Sequence, residues 1–304
     1  MRCPFLREVQ VKSCSASPFK KMIVRSSIEA DHERCSGTEW MWCPAAKGHR
    51  EDHPNLNHCP FLHESLVQYC SAVPAPTFVP YNESPSSRCH REGHVYCELF
   101  LSTTYPEYCN PGKPVAADLP PEPANVFFSP NHMWIRMHDD GSCHIGVDSL
   151  LAKVLKRVET LSFAGATGDG HPAALFSVRG ITLRIVFPAK IDQIAAHTYL
   201  RLRPEYLASF PYTLGWLFEG MVPRSASNKG STTLHDGWVS PDNAGNWMSQ
   251  ESRRLIDYVH SRVAPAEIFS MTDGGVLKED LIAELTPEEL YRLFDDFFSH
   301  PRLH

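Results

Sequence analysis

No run in this 304-residue chain approaches the ~18–20 apolar residues of a membrane span. It has no surplus of charge in either direction: Lys and Arg number 29 against 35 Asp and Glu, a formal net charge of -6. That balance argues against general nucleic-acid binding, which leans on neutralising phosphates. The chain contains no His-Glu-x-x-His, no Gly-x-Ser-x-Gly and no P-loop. Its sixteen histidines are scattered, as surface or capping residues are, so a hydrolase or other enzyme is disfavoured. The opening Met-Arg-Cys-Pro-Phe-Leu-Arg-Glu is broken by charge at once, which reads against a secretory signal and for a cytoplasmic protein. Length and the 42% hydrophobic content suffice for about two domains with real cores.

Cysteine is what the chain has in plenty. Ten cysteines in a reducing compartment point to metal ligation or redox chemistry more than to a disulfide framework. Eight of them belong to an internal repeat. Residues 3–18 read CPFLREVQVKSCSASP and residues 59–74 read CPFLHESLVQYCSAVP, identical at ten of sixteen positions. The match resumes after a two-residue gap, with Arg34-Cys35 against Arg88-Cys89 and Cys43 against Cys97. Each copy thus holds four cysteines, as C-x10-C-x20-C-x7-C and then C-x10-C-x18-C-x7-C. A copy of about 40 residues is too small to stand on burial alone, so a staple is expected.

Cys3, Cys14, Cys35 and Cys43, and then Cys59, Cys70, Cys89 and Cys97, are the candidate metal ligands. Four thiolates suit tetrahedral zinc or an iron–sulfur cluster, and nothing in the residues chooses between them. The spacing is not that of a zinc ribbon, because no two cysteines form a C-x2-C knuckle. His90 and His94 lie between the last two cysteines of the second copy, but Ser36 and Trp40 hold those places in the first, so histidine is not part of the shared pattern. Paired disulfides or small buried thiols remain the alternative. Cys109 and Cys143 fall outside the repeat and read as ordinary buried thiols. Residues 1–100 carry eleven basic and eleven acidic residues, without the basic stripe that a zinc-dependent DNA reader needs.

Seven prolines fall within residues 101–130, which reads as an extended linker. Beyond it, His132–His138 has strand composition, Asp139-Asp140-Gly141 is a hairpin turn signal, and Cys143–Val147 is the returning strand. Asp148 or Ser149 can cap a short helix with Leu150, Leu151, Val154 and Leu155 along one stripe. Leu175–Val178, Ile181–Phe187 and Gly215–Phe218 read as further strands. Residues 224–246 are polar and loop-like, and Trp247–Val263 has helical spacing. Thr272-Asp273-Gly274-Gly275 is a turn. Thr286-Pro287-Glu288-Glu289 is a helix start with a capping box, and Leu290, Leu293, Phe294, Phe297 and Phe298 form its apolar stripe.

The order His132-x-Trp134, Asp-Gly turn, Gly146, short helix, hairpin, then Phe210-Pro211-Tyr212-x-x-Gly215-Trp216-Leu217 resembles the H protein of the glycine cleavage system over about residues 131–220. The resemblance implies a lipoyl-type β-barrel sandwich; with the cysteine repeat before it and the helical spacing after it, the expected chain is α+β: tandem small cysteine-rich units, then that sandwich with C-terminal helices. The implied layout is a cysteine-rich metal-binding region at 1–100 (units 1–46 and 57–100), a linker at 101–130, the H protein-like domain at 131–223 and a loop with helices at 224–304.

Members of that family carry lipoate on a lysine in a Glu-Ser-Val-Lys-Ala hairpin. Here the corresponding stretch is Ser177-Val178-Arg179-Gly180-Ile181-Thr182-Leu183-Arg184, without lysine. A guanidinium cannot replace the amine that is acylated. Lys190, the nearest lysine, belongs to a later turn. The expected function is therefore a non-catalytic binding, scaffold or electron-relay component with protein partners, no nucleic acid and no lipoate, whose hairpin tip near Arg179, Gly180 and Thr182 lacks its cargo. A working lipoyl carrier of glycine cleavage or a related pathway, and a zinc-stabilised regulatory binding protein, are the alternatives.

Overall fold

Both copies of the cysteine repeat become β-strands in the computed structural model, which describes residues 2–16, 21–23, 35–46, 56–74, 77–79, 88–106, 125–164, 171–222, 237–263 and 285–299. The chain contains helices and sheets together, an α+β protein, in two compact units, Met1–His90 and Arg91–His304. Cys109, residues 107–124 of the proline-rich stretch, and the Thr272–Gly275 turn lie outside the described residues.

The first unit is one four-stranded antiparallel sheet in the order β2-β1-β3-β4. β1 (Leu6–Cys14) comes from the first copy, followed by β2 (Lys21–Ile23). β3 (Leu62–Cys70) and β4 (Thr77–Val79) are their counterparts in the second. β1 pairs β3 along its whole length, from Leu6 opposite Cys70 to Cys14 opposite Leu62. Those two pairs exchange under the repeat, so a pseudo-two-fold axis passes between Gln10 and Leu66, which face each other. The flanking strands obey it too: Cys14 is opposite Lys21, and Cys70 is opposite Thr77. Two half-sized motifs that could not each close a core thus share one sheet.

The second unit opens with a 3-10 turn at Glu92–Tyr96 and α1 (Glu98–Thr104). Its strands are β5 (Val126–Phe128), β6 (Met133–Met137), β7 (Ser142–Val147), β8 (Thr160–Ala164), β9 (Ala173–Val178), β10 (Ile181–Val186), β11 (Asp192–Ala196) and β12 (Trp216–Met221). They form a five-stranded sheet, β11-β12-β7-β6-β5, and a three-stranded one, β10-β9-β8. Ile135, Ile145 and Phe218 of the larger sheet share one core with Phe176, Leu183 and Ile185 of the smaller. Each such side chain contributes roughly 1.5–3 kcal/mol through burial. On β10 the alternation is clean: Leu183 and Ile185 are buried, while Thr182 and Arg184 are exposed.

Turns and caps follow the local chemistry. Asp140 Oδ1 accepts from the Ser142 amide at 2.9 Å, and Gly141 supplies a φ of 82° between β6 and β7. Asp148 caps α2 (Ser149–Val154): its Oδ1 accepts from the Leu150 and Leu151 amides at 3.0 and 2.9 Å. α3 (Tyr206–Ser209) precedes β12. α4 spans Pro241–Val263, six residues longer at its start than the apolar spacing predicts. Pro241 stands at the first helical position, and the Asn243 amide donates to the Ser240 carbonyl at 3.0 Å, so helix forms in a segment whose polar composition reads as loop. α5 (Pro287–Phe294) has the expected capping box, with the Glu289 amide donating to Thr286 Oγ1 and the Thr286 amide to Glu289 Oε2. It runs into a π turn at Asp295–Ser299 that buries Phe297 and Phe298.

The motif residues that carry the family resemblance interlock. Trp134 Nε1 donates to the Pro211 carbonyl at 3.1 Å, and the Ser149 amide donates to the Tyr212 hydroxyl at 3.2 Å. A Cβ at Gly146 would lie 2.6 Å from the Trp134 ring, and one at Gly215 would lie 2.7 Å from the Tyr206 carbonyl oxygen. His132-x-Trp134, Gly146 and Pro211-Tyr212-x-x-Gly215 therefore form one packed corner of the second unit.

Candidate functional site

Three places carry chemistry. The first is the β9–β10 hairpin tip. Val178 faces Ile181, leaving Arg179 and Gly180 as a two-residue turn. Their φ values are 52° and 78°, the pair of positive angles that a type I′ turn demands. Gly180 takes this without penalty, whereas Arg179 is held there by its partners. Its guanidinium donates to the Leu285 carbonyl, just ahead of α5. Glu159 Oε2 accepts from Ser177 Oγ at 3.1 Å and from the Gly180 amide at 3.4 Å. The tip is thus fastened on one side to β8's leading residue and on the other to the C-terminal segment. Thr182 is exposed two residues beyond the turn, and Lys190 is exposed in the later turn after β10.

The second place is the cysteine repeat. Backbone bonds bring its corners together across the copies, not within them. The Cys59 amide donates to the Cys35 carbonyl at 2.8 Å, and the Cys3 amide donates to the Cys89 carbonyl at 2.9 Å. Cys59 is buried in a small apolar cluster with Trp40 and Ala46, against which Cys35 and Cys43 pack. Trp40 is fully buried, and its Nε1 donates to the Leu56 carbonyl at 3.1 Å. Cys14 ends β1 opposite Leu62, whose amide donates to the Cys59 carbonyl. Burial pushes the Cys35 thiol up, and the neighbouring sulfurs of Cys59, Cys43 and Cys14 push it the same way. Cys70 ends β3 opposite Leu6, repeating the position of Cys14. Cys97 follows the Glu92–Tyr96 turn of the second unit, and its amide donates to the His94 carbonyl as that of Cys43 does to Trp40.

The nine described cysteines are not in disulfide bonds. Among the described residues, no three Cys, His, Asp or Glu side chains are drawn together closely enough to hold a metal ion. Cys143 is fully buried on β7, and burial pushes its thiol up to about 12, which leaves it unreactive.

The third place was not visible in the sequence as a site. His132 has no exposed surface and a φ of 61°. Its Nδ1 lies 2.6 Å from Asp148 Oδ2, and its Nε2 lies 3.5 Å from Glu251 Oε2 on α4. Trp247 stacks on the imidazole with ring centres 4.9 Å apart, and Phe298 meets it edge-on at 5.1 Å. Burial alone would depress the imidazole, but Asp148 and Glu251 outweigh it and raise its pKa to about 9. Glu251 is held low by His132 and by Arg254, against the opposing effect of its own burial. This group is a charged clamp between α4 and the start of α2. Only the capping role of Asp148 was legible beforehand.

No protein-family model matches the chain. Among solved structures it is similar to a glycine cleavage system H protein from Mycobacterium marinum, with a TM-score of 0.32 and 16% identity, over 42% of this chain and 98% of that one. A likeness of that size does not establish the family. Among the described residues, no helix is long and apolar enough to cross a membrane.

Proposed function

We propose that this chain is an H protein-like binding or scaffold component whose lipoyl-type domain has exchanged its carrier arm for a fixed contact, joined to a cysteine-rich region that holds zinc or an iron–sulfur cluster. The observation that carries the reading is the hairpin tip. A swinging arm needs an amine on a free turn; here the turn is Arg179-Gly180, and the Arg179 guanidinium is bonded to the Leu285 carbonyl. The motif order from His132-x-Trp134 to Gly215-Trp216-Leu217 supports a scaffold of that family, and the recurring cysteine corners support a metal-stapled partner region. Protein partners in the cytoplasm fit this role; an ion in the cysteine region would either brace the docking surface or relay electrons.

The test is intact-mass measurement of the full chain co-expressed with a lipoate ligase and supplied with lipoate. The expected mass is that of the unmodified chain. A lipoyl adduct on any lysine, Lys190 included, would make the protein a carrier and overturn the reading. Anaerobic purification with metal analysis and a visible spectrum tests the other half. Brown absorbance signals an iron–sulfur cluster, a colourless stoichiometric zinc protein signals a structural ion, and a chain holding neither removes the metal from the proposal.

A further inference from the structure

Eight cysteines in two copies suggest one quartet per copy, yet the backbone groups them otherwise. The pairing of β1 with β3 carries the start of each copy to the far corner of the other. Cys59 arrives beside Cys35 through the bond between their backbones, and it shares with Cys35 and Cys43 the apolar cluster around Trp40. Cys14 stands opposite Leu62, at the end of the turn that Cys59 begins. We propose that Cys14, Cys35 and Cys43 of the first copy and Cys59 of the second are the four ligands of a single soft divalent ion, zinc, which clasps the two copies to each other. This rests on the metal half of the proposed function and adds its ligand set.

The arrangement explains why the chain has no C-x2-C knuckles. A knuckle brings two sulfurs together within one turn; here the sheet register brings the backbones of distant segments together, and the four side chains would close onto the ion as it binds. All four thiols would surrender their protons to solvent as zinc binds, with no change of oxidation state, leaving the site with a net charge of two minus. Lys12 supplies a nearby counter-charge, its Nζ donating to Ser36 Oγ at 3.1 Å beside Cys35. In thermodynamic terms the ion would add to a sheet that the chain already forms, so binding stabilises the paired copies by mass action.

The experiment counts zinc in the full-length chain, purified under reducing conditions and reconstituted with zinc alone. C35S and C59S are each expected to lose one ion per chain, and the double variant C35S/C59S to lose that same single ion. A double variant that loses two ions places the residues in separate sites and overturns the grouping, as does a C59S chain that keeps every ion that C35S loses. A wild-type chain that binds no zinc and no iron ends the metal half of the proposed function itself, which separates the two failures. Should a single serine unfold the whole unit and release all its metal, the wild-type chain decides. Mild oxidation of the metal-free protein followed by peptide mapping is expected to join Cys59 to Cys35, Cys14 or Cys43. Finding Cys59 linked only to Cys70 or Cys89, or to no cysteine of the first copy, overturns the grouping.

Discussion

His132 and Asp148 meet at 2.6 Å with neither side chain exposed to solvent, so the imidazolium and the carboxylate each stand in for the water that the other has lost. Glu251 completes the set from α4. A buried ion pair is weak evidence of net stability, but removing one member leaves a stranded charge and costs roughly 3–5 kcal/mol. Here the cost falls on the joint between α4 and the first hairpin of the second unit.

The first prediction is the pH dependence of that joint. The folded pKa of His132, about 9, lies above the ordinary value of 6.5. A raised pKa means that the folded state binds the proton more tightly. Its contribution is complete below about pH 6.5 and disappears as pH rises through 9. The shift corresponds to something on the order of 3 kcal/mol. Urea denaturation between pH 6 and 10 is expected to show stability falling across that window. In H132Q the fall should flatten; an unchanged slope would show that His132 is not charged in the fold.

Gly146 and Trp134 give the second prediction. Since a methyl at residue 146 would enter the indole at 2.6 Å, G146A forces either the ring or β7 to shift. Overpacking of this kind costs about 1–3 kcal/mol. The Trp134 Nε1 bond to the Pro211 carbonyl stretches with it, so tryptophan fluorescence is expected to move along with the denaturation midpoint. A variant as stable as the parent, with the same emission, would mean that the corner is loosely packed.

The third prediction concerns the fastened hairpin. R179A removes the donor to the Leu285 carbonyl and leaves a non-glycine residue at a left-handed φ, whereas R179G removes the donor but also relieves that backbone strain. R179A is therefore expected to lose about 1–2 kcal/mol, and R179G less. Hydrogen exchange should quicken in both variants over residues 285–299 and stay unchanged in β6 and β7. Uniform exchange rates across wild type and variants would show that the tip and the C-terminal segment are independent.

How much of this was legible beforehand divides along the range of the interactions. The capping box at Thr286–Glu289, the Asp148 cap, the Asp140-Gly141 turn and the alternation of β10 are written within a few residues, and each lies where its residues predict. The early start of α4 was missed because polar residues such as Asn243 and Asn246 weigh against helix until a Pro at the first position and the packing of Leu255 and Val259 decide it. The cysteine repeat was plain, but sequence identity between copies says nothing of whether they close separately or on each other. That is settled by β1 pairing with β3. The clamp on His132 left no local trace, since its second carboxylate comes from a helix far along the chain. The lack of lysine at the hairpin tip was visible at once, while the carbonyl that Arg179 binds was not.

The last prediction tests whether α5 is held by its own start signal or by the core. T286A deletes the hydroxyl that accepts from the Glu289 amide and leaves Glu289 with only the residue-286 amide to bind. An isolated eight-residue helix is too short to survive in water, so its order comes from burying Leu290, Leu293 and Phe294. The cap then sets the margin, and its loss is expected to cost about 1 kcal/mol without unfolding the unit. Glu289, held below the usual carboxylate range by the Thr286 amide and hydroxyl, should titrate closer to an ordinary glutamate in the variant. Because the folded pKa is depressed, this contribution is present above the unfolded value and fades as pH falls, so wild type and T286A should converge in stability under acid conditions. A difference that persists undiminished at low pH would assign the cap's effect to the hydroxyl alone and not to the paired carboxylate.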